Sequence, residues 1–265
     1  MGGKSNFHTH TTWCDGRNTV EEMVRGALAR GYSALGFSSH AVFPADPWTW
    51  PLTAAKGPAY VADVRRCAAA HADRIRVLCG VEADYIPHAA RPDRAVYAAL
   101  GPDYVIGAVH TVVAPDGAWV DVDNTPELLV RGVNAHFGGD FGAFVRAYFA
   151  QEREMVATCD FDIVAHPDLV RKFNRVLGYL DERAGWYMDE LARTAEAIAA
   201  AGRLAEVNTG GIARGWIGDA YPSPAFRDLL RARGVRFLLS ADAHSVADLD
   251  VPYPRFERAE EYATL

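Results

Sequence analysis

The sequence predicts an α/β fold in which seven parallel strands close into a distorted, TIM-like (β/α)7 barrel. Short apolar runs alternate with helical patterns along the chain, and each run is apolar almost throughout, as in parallel strands covered on both faces. No stretch between them has the composition of a linker. Residues 1–265 are therefore expected to form a single domain, and a barrel is the natural way to close seven such units.

Seven runs have the length and apolar content of buried strands. In chain order they are SNFHTH, YSALGFSSH, IRVLCGVEADY, DYVIGAVH, FDIVAHPDL, RLAEVNTGG and VRFLLSADAH.

The stretches between these runs predict helices. TVEEMVRGALARG has Thr19 as its N-cap, Glu22 three residues later and an end at Gly31. Four other stretches have the same character: AYVADVRRCAAAHA, FGAFVRAYFAQEREMVATC, YMDELARTAEAIAAAG and SPAFRDLLRARG.

Residues 111–142 form an insert that is longer than a plain strand-to-helix connection. Inserts of this length usually cover an active site or are disordered. Trp119, Val133 and Phe137 argue against disorder. We therefore expect the insert to act as a lid or pocket wall.

Composition excludes several classes of protein. Half of the residues are hydrophobic and 23% are charged, which allows a sizeable core. The net charge of −7 argues against a surface that binds nucleic acid, and no apolar run is long enough to span a membrane. The N-terminus lacks the apolar core of a signal peptide, and the four cysteines form no CxxC pair. We expect a cytoplasmic protein with reduced thiols and with neither nucleic-acid nor membrane partners.

His8 and His10 stand two residues apart, so on an extended strand both side chains point to the same face. Nearly every predicted strand ends in a residue of the kind that binds metals, and in an α/β barrel these ends meet at one face. The full set is His8, His10, Asp15, His40, Glu82, His110, His166, Asp242 and His244. The other three histidines, His71, His88 and His136, fall outside strand ends and are expected to serve packing or the surface.

A set rich in histidine suits zinc, iron or manganese better than magnesium or calcium. Nine ligands are more than one ion takes, so two or three divalent ions are expected. Glu82 could place one oxygen on each of two ions, and a hydroxide held between them would be a nucleophile at neutral pH. Glu82, Asp242 and His244 are the predicted catalytic residues among the ligands.

The strand-end pattern FHTH…D…H…VEADY…VIGAVH…AHPD…SADAH resembles the PHP (polymerase and histidinol phosphatase) superfamily. VDVDNTPELLVRGVNAHFGGDFGAFVRAYF, and VAHPDLVRKF followed by EVNTGGIAR, resemble its histidinol-phosphate phosphatase branch. The resemblance runs from about Asn6 to Ser245 and implies a trinuclear metal site. The implied ligands are His8, His10, Glu82 and Asp242 for the first ion, Glu82, His110 and His166 for the second, and Asp15, His40 and His244 for the third.

Two features depart from the family pattern. Its second motif usually ends in Thr-Asp-His, whereas Ser38, Ser39 and His40 stand here, so an acidic neighbour of the third ion's site is lost. The final EEYATL also comes earlier than the family's last helix would end. The early end weakens the expectation that the rim of the barrel is closed. It has less bearing on the expected chemistry.

A phosphate monoester also needs cations for its oxygens. Arg171, Lys172 and Arg214 follow strand ends and are the predicted phosphate contacts, with Arg17 a weaker candidate. Candidates for the far end of the substrate are Asp84, Tyr85, Asn208 and the acidic or aromatic groups of the insert, and Asn208 is counted among the predicted substrate-binding residues. Trp48 and Trp50 would form either an apolar wall over the substrate or a packed surface loop.

The resemblance implies a metal-dependent phosphatase that hydrolyses L-histidinol phosphate to L-histidinol and phosphate, a late step of histidine biosynthesis. It implies a small-molecule substrate for a monomer or homodimer. Three alternatives stay open. One is a family phosphoesterase for another monoester, a diester or a nucleotide. A second is an amidohydrolase, although Glu82 stands where that class commonly has a carboxylated lysine. The third is a non-catalytic metal-binding module, although such modules tend to lose ligands.

Overall fold

A computed structural model describes residues 4–45, 51–249, 253–256 and 262–265, so Trp48 and Trp50 lie outside the described residues. The strands are β1 (Lys4–Asn6), β2 (Tyr32–Ala41), β3 (Arg76–Asp84), β4 (Tyr104–Ala108), β5 (Thr111–Val113), β6 (Trp119–Asp121), β7 (Ile163–Val164), β8 (Leu204–Asn208) and β9 (Phe237–Ser240). Seven of them form one parallel sheet in the order β1-β2-β3-β4-β7-β8-β9.

The sheet curves until its two edges meet. The backbone N–H of His10 donates to Ala243 O (2.8 Å), and the N–H of Ala243 donates to His8 O (3.2 Å). The stretch with His8 and His10 therefore lies just beyond β1 and joins the first strand to the chain that follows β9. The predicted seven-stranded α/β barrel is confirmed.

The helices of the described residues are α1 (Val20–Ala29), α2 (Gly57–Ala70), α3 (Pro126–His136), α4 (Phe141–Thr158), α5 (Asn174–Leu177), α6 (Gly185–Ala201), α7 (Gly210–Ala213), α8 (Pro224–Ala232) and α9 (Tyr253–Phe256). The cap predicted for α1 is present, because Thr19 Oγ1 accepts from Glu22 N and Glu22 Oε2 accepts from Thr19 N. None of the helices in these residues is both long enough and apolar enough to cross a bilayer.

Alternation along the strands divides the barrel interior into two layers. On β3, Leu78 and Gly80 occupy the first half of the inward face and Glu82 and Asp84 the second. The lower layer is apolar and is formed by Phe7, Leu78, Tyr104, Ile106, Ala108, Ile163, Ala165 and Leu238. The upper layer, at the carboxyl ends of the strands, carries the ionisable groups. A second and larger apolar core lies between the sheet and the helices.

The last described residues cover the lower end of the barrel. Ala263 and Leu265 pack against the interior apolar cluster, and Ala263 N donates to Phe237 O at the start of β9 (2.8 Å). This contact lies opposite the face to which the metal-type residues point.

The insert, residues 111–142, contains the antiparallel hairpin β5–β6, then α3, and ends at the start of α4. Val112, Val120 and Leu129 bury their side chains in the outer core. Its hairpin is joined to the barrel where Val122 N donates to His110 O (2.8 Å). The hairpin is thereby placed beside the carboxyl end of β4.

Tyr104 fixes the centre of the barrel. Its hydroxyl lies 2.7 Å from Phe7 O and 3.0 Å from Phe37 O. A Cβ at Gly80 would lie 2.5 Å from Cζ of the Tyr104 ring, so the ring fits only because residue 80 has no side chain.

We expect Gly80→Ala to lower the free energy of unfolding by about 1–3 kcal/mol, because the buried ring must shift. Urea denaturation of the two proteins measures the difference. Gly185→Ala is the control: a Cβ there meets nothing within 4 Å at the start of α6, and it should be neutral or slightly stabilising. Equal stability of Gly80→Ala and the parent protein would contradict this account of the barrel centre.

Candidate metal centre and active site

All nine predicted metal-type residues converge on the carboxyl end of the barrel, and Glu82 lies at their centre. Glu82 Oε2 is 3.0 Å from His8 Nε2, 3.0 Å from His40 Nδ1 and 3.4 Å from His10 Nε2. Glu82 Oε1 is 3.0 Å from His166 Nε2 and 3.4 Å from His110 Nε2. One carboxylate on β3 thus faces five imidazoles.

Two aspartates complete the cluster. Asp242 Oδ1 is 3.4 Å from His10 Nε2 and 3.7 Å from His8 Nε2. Asp15 Oδ2 is 3.1 Å from His244 Nε2, and Asp15 Oδ1 is 3.8 Å from both His10 Nδ1 and His40 Nε2. His10 therefore lies between the two carboxylates.

Ligand atoms lie within 4.8 Å of one another in three groups. The groups are His8, His10 and Glu82; His40, Glu82 and His110; and His10, Asp15, His40 and His244. These sets overlap with the three that the family resemblance implies, and they differ in sharing His10 and His40 between neighbouring groups. Two implied ligands, His166 and Asp242, do not belong to any of the three groups. His166 Nε2 nevertheless faces the same Glu82 oxygen as His110, and Asp242 Oδ1 lies 3.4 Å from His10 Nε2.

The cluster has polar atoms that no protein group satisfies. His8 Nε2, His10 Nε2 and Glu82 Oε2 are buried without a hydrogen-bond partner among the described residues, although the first and last are only 3.0 Å apart. Buried polar atoms are normally paired, so three unpaired ligand atoms within 4.8 Å of one another indicate a site that a cation could fill. Imidazole and carboxylate donors suit zinc, iron or manganese. The cluster therefore suits a metal site.

The electrostatics of the cluster favour ionised carboxylates. Burial opposes the ionisation of Glu82, but His8 and His40 hold its pKa well below the usual range. Burial also lowers the pKa of His10 to about 3, with help from repulsion by His244 and His40, so this imidazole is neutral. A neutral imidazole is the form that binds a metal.

A second layer of carboxylates holds the imidazoles in place. Glu206 on β8 is buried, and its Oε1 lies 2.7 Å from His8 Nδ1 and accepts from Ser240 Oγ (2.9 Å). Its Oε2 accepts from Asn208 Nδ2 (3.0 Å) and from His166 N (3.2 Å). Such a partner fixes the tautomer of a metal-binding histidine and the orientation of its ring. Sequence reasoning missed Glu206, and its place two residues before Asn208 on the inward face of β8 is the signal that could have revealed it.

Asp84 has the same function for His110, since Asp84 Oδ1 lies 2.5 Å from His110 Nδ1. Although burial disfavours the charged imidazole, Asp84 and Glu82 raise the pKa of His110 to about 9. Asp84 also lines the cavity, so its predicted contact with the far end of the substrate stays a prediction beside this support of a histidine.

An open cavity of about 670 Å³ lies above the cluster. Seven of the nine metal-type residues line it, all except His8 and His10. The remaining lining residues are Cys14, Asp84, Thr111, Asp121, Asp123, Asn124, Leu169, Lys172 and Arg214.

Two of the predicted phosphate contacts reach this cavity. Arg214 Nη2 donates to Asp242 Oδ2 (2.8 Å) and its Nη1 to Asp242 O (3.1 Å). Lys172 Nζ donates to Asp123 O (2.7 Å) and Asp123 Oδ2 (3.0 Å). Both cations are therefore anchored by an aspartate and face the metal cluster.

The structure places two other predicted substrate contacts outside the cavity. Arg171 is buried and donates from Nε to Glu182 Oε2 (3.1 Å) and from Nη1 to Ala220 O (3.4 Å). Asn208 is fully buried and donates to Glu206. Asn208 also donates to Asp242 Oδ2 (3.4 Å), so both side chains are held by protein groups, and their contact with substrate stays a prediction. Tyr85, a further candidate, also does not line the cavity.

Four other residues that the sequence singled out, Ser38, His71, His136 and Arg17, do not line the cavity. Ser38 Oγ, in the motif that lacks its usual Asp, accepts from Thr9 N (3.1 Å) and so supports the backbone between His8 and His10. His71 and His136 contact Glu21 and Asp116, away from the cluster, as the sequence indicates. Arg17 is exposed and is not part of the cavity lining.

Comparison with known proteins matches residues 6–210 to the sequence model of the PHP domain. A protein named "Probable histidinol-phosphatase" from Deinococcus radiodurans is 32% identical over 256 residues, which cover 94% of this chain and 89% of that protein. The hisK structure from Listeria monocytogenes has a TM-score of 0.84 at 20% identity and covers 96% of this chain and 100% of its own. Histidinol phosphate phosphatase of Lactococcus lactis, solved with zinc, L-histidinol and phosphate, has a TM-score of 0.70 at 19% identity and covers 99% of this chain and 96% of its own. Both structures share the fold described above.

Glu206→Gln is expected to weaken metal binding by about 10–100-fold, the usual effect of losing a partner of a metal-binding histidine. The new amide nitrogen would face two donors, Asn208 Nδ2 and His166 N. Metal affinity is measured by competition with a chromogenic chelator. Glu196→Gln, an exposed glutamate that pairs with Arg233, is the control and should bind metal normally. Unchanged affinity in Glu206→Gln would rule out the supporting role.

Metal affinity should rise with pH. Burial opposes protonation of His40 and His110, but in the metal-free protein nearby carboxylates, including Glu82, raise their pKa values to about 10 and about 9. Metal binding must therefore displace protons at neutral pH, and affinity should gain about tenfold per pH unit for each proton displaced. Calorimetry with Mn²⁺ in two buffers of different ionisation enthalpy counts the protons. Binding without proton release at pH 7 would contradict these shifts.

The same shifts affect the metal-free fold. Both pKa values lie above the unfolded value near 6.5, so their stabilising contribution is complete below that pH and is lost as pH rises through about 9 and 10. Urea denaturation with a chelator present, repeated across this range, should show the loss.

Proposed function

Because the chain belongs to the PHP domain family, we propose that it is a metal-dependent phosphatase that hydrolyses L-histidinol phosphate to L-histidinol and phosphate. The observation that carries the proposal is the cluster of nine ligand-type side chains around Glu82, with two anchored cations on the cavity wall above it. The relative from Deinococcus radiodurans supports the choice of substrate, because the similarity extends over nearly the whole of both chains.

The cluster has room and ligands for more than one divalent ion of zinc, iron or manganese. We assign His8, His10, Glu82 and Asp242 to the first position, Glu82, His110 and His166 to the second, and Asp15, His40 and His244 to the third. Bound ions of this kind supply an activated water molecule and neutralise charge on the phosphoryl group. The shared position of His10 between Asp15 and Asp242 supports ions close enough to act on one substrate.

The protein's own groups bind and orient the phosphate. Asp242 fixes the Arg214 guanidinium, which presents its fork of donors to the cavity. Lys172 uses two of its three donors on Asp123, which leaves one for a phosphoryl oxygen. These preorganised cations stabilise the charge that builds on the phosphoryl oxygens in the transition state. Glu82, Asp242 and His244 contribute to catalysis as ligands that hold this geometry.

The whole chain is proposed to act as one barrel domain with residues 111–142 as a pocket wall. Four residues of that segment, Thr111, Asp121, Asp123 and Asn124, line the cavity, which supports this role. A cytoplasmic enzyme of histidine biosynthesis, as a monomer or homodimer, is the corresponding cellular proposal.

The test is phosphate release by the metal-reconstituted protein from L-histidinol phosphate, phosphoserine, a nucleoside monophosphate and a bis-aryl phosphodiester. We expect a strong preference for L-histidinol phosphate. Glu82→Ala should lower the rate by about 10²–10³-fold or more, since the centre of the cluster is lost. Glu196→Ala, on the exposed face of α6, is the matched control and should retain full activity.

Metal content of both variants is measured by mass spectrometry, which shows whether the lost activity accompanies lost ions. Preference for the diester or the nucleotide would replace the proposed substrate and leave the metal centre in place. Full metal content with no phosphate release from any substrate would favour a binding module.

A further inference from the structure

We propose that Asp121, at the end of β6, recognises the ammonium group of the substrate and so sets specificity within phosphomonoesters. This inference rests on the proposed function, because it concerns the end of the same substrate that lies away from the phosphate. Its evidence is that Asp121 lies on the cavity wall without an ion pair, whereas each of the other carboxylates that line the cavity has a basic partner.

Every other carboxylate that lines the cavity has a basic partner. The pairs are Asp15 with His244, Glu82 with His166, Asp84 with His110, Asp123 with Lys172, and Asp242 with Arg214. Asp121 also lines the cavity, yet within the described residues no lysine, arginine or histidine forms an ion pair with its carboxylate; Asn124 hydrogen-bonds to it, and His110 attracts it without contact at ion-pair distance. The protein thus leaves one negative charge on this wall for a ligand to neutralise.

Asp121 lies close enough to the metal cluster to reach the ammonium group of a substrate whose phosphate is bound there. Asp121 pairs in register with Thr111 across the hairpin, and the next residue, Val122, donates from N to His110 O (2.8 Å). Cross-strand partners have Cα atoms about 5 Å apart, so Asp121 lies close to the strand end that carries His110. In L-histidinol phosphate the amino nitrogen is only three bonds from the ester oxygen. A residue that recognises this nitrogen must therefore lie next to the metal cluster, as Asp121 does.

The electrostatics agree with a cationic ligand. Partial burial raises the pKa of Asp121, and the neighbouring Asp123 raises it further by repulsion. The anionic carboxylate is therefore destabilised in the protein alone, and a cation beside it removes this cost. Lys172 does not supply that charge, because its ammonium is held by Asp123.

An ammonium fits this position better than the imidazole at the other end of the substrate. It is cationic at neutral pH and carries three donors, whereas an unperturbed imidazole with a pKa near 6.5 is mostly neutral there. Phosphomonoesters without a cationic group gain nothing from Asp121. The cavity is thus expected to prefer phosphate esters that carry an amino group on the second carbon from the ester oxygen.

Binding of L-histidinol and of its deamino analogue, 3-(imidazol-4-yl)propanol, to the metal-loaded protein tests the inference by calorimetry. Asp121→Asn keeps the shape of the side chain and removes its charge. We expect it to weaken L-histidinol by about 10–100-fold, the range for a hydrogen bond between charged groups, and to leave the deamino analogue unchanged. Asp116→Asn, in the turn of the same hairpin and paired with His136, is the control and should change neither.

Equal weakening of both ligands would overturn the inference, because Asp121 would then act through the shape of the wall. Unchanged binding of L-histidinol would overturn it too. In turnover assays, Asp121→Asn should raise KM for L-histidinol phosphate. For the deamino ester, both kcat and KM should stay unchanged. A loss of kcat for the deamino ester would identify Asp121 as a proton donor instead and would also overturn it.

The proposed function can fail separately. If the parent protein releases no phosphate from L-histidinol phosphate, 2-aminoethyl phosphate and ethyl phosphate replace the histidinol pair in the binding measurement. They differ only in the ammonium and keep its spacing from the ester oxygen. Tighter binding of the aminoethyl ester that is lost in Asp121→Asn would support the inference without the proposed substrate. Equal binding of the two esters would overturn it.

Discussion

The burial of the Glu82 carboxylate is the constraint on which the rest of the site depends. Glu82 is only 1% exposed, in the interior of a barrel whose lower half is apolar. A buried carboxylate costs several kcal/mol unless cations or donors compensate it. Here five imidazoles approach its two oxygens, but Oε2 still lacks a hydrogen-bond partner among the described residues. Imidazoles alone therefore satisfy the charge only in part, and a cation held by the same groups would complete it.

The parallel register of the strands brings the imidazoles and Glu82 together. His40 on β2 is in register with Glu82 on β3, and Glu82 with Ile106 on β4. Neighbouring strands therefore end at similar heights, and residues near those ends meet above the apolar layer. The second layer then fixes two of the rings, with Glu206 behind His8 and Asp84 behind His110. Ligand positions follow from the sheet, and ligand orientations follow from these buried carboxylates.

The sequence allowed the seven strands and the convergence of nine side chains to be predicted, because both follow from local pattern. Strand ends of a parallel barrel meet at one face, and His or Glu at so many of them is a strong signal. Contacts between distant residues were not predictable in this way. Glu206 meets His8 across 198 positions of sequence. Arg171 donates to Glu182, whose position depends on the path of a loop. The position of Arg171 in the sequence therefore could not show that its side chain has this partner.

The barrel and the insert carry different parts of the chemistry. Eight of the nine metal-type ligands lie on or just beyond strands of a closed sheet, where a shift of one side chain disturbs several others, and Asp15 lies in the loop before α1. Asp121 lies on a two-stranded hairpin outside that sheet, joined to it near His110 by a backbone hydrogen bond. A backbone contact holds the hairpin in place, so a side chain that faces the cavity, such as Asp121, can vary without loss of that contact. Substitutions on the hairpin can therefore alter which ester is bound while Glu82 and its imidazoles keep their geometry, so one metal centre can serve different phosphoesters.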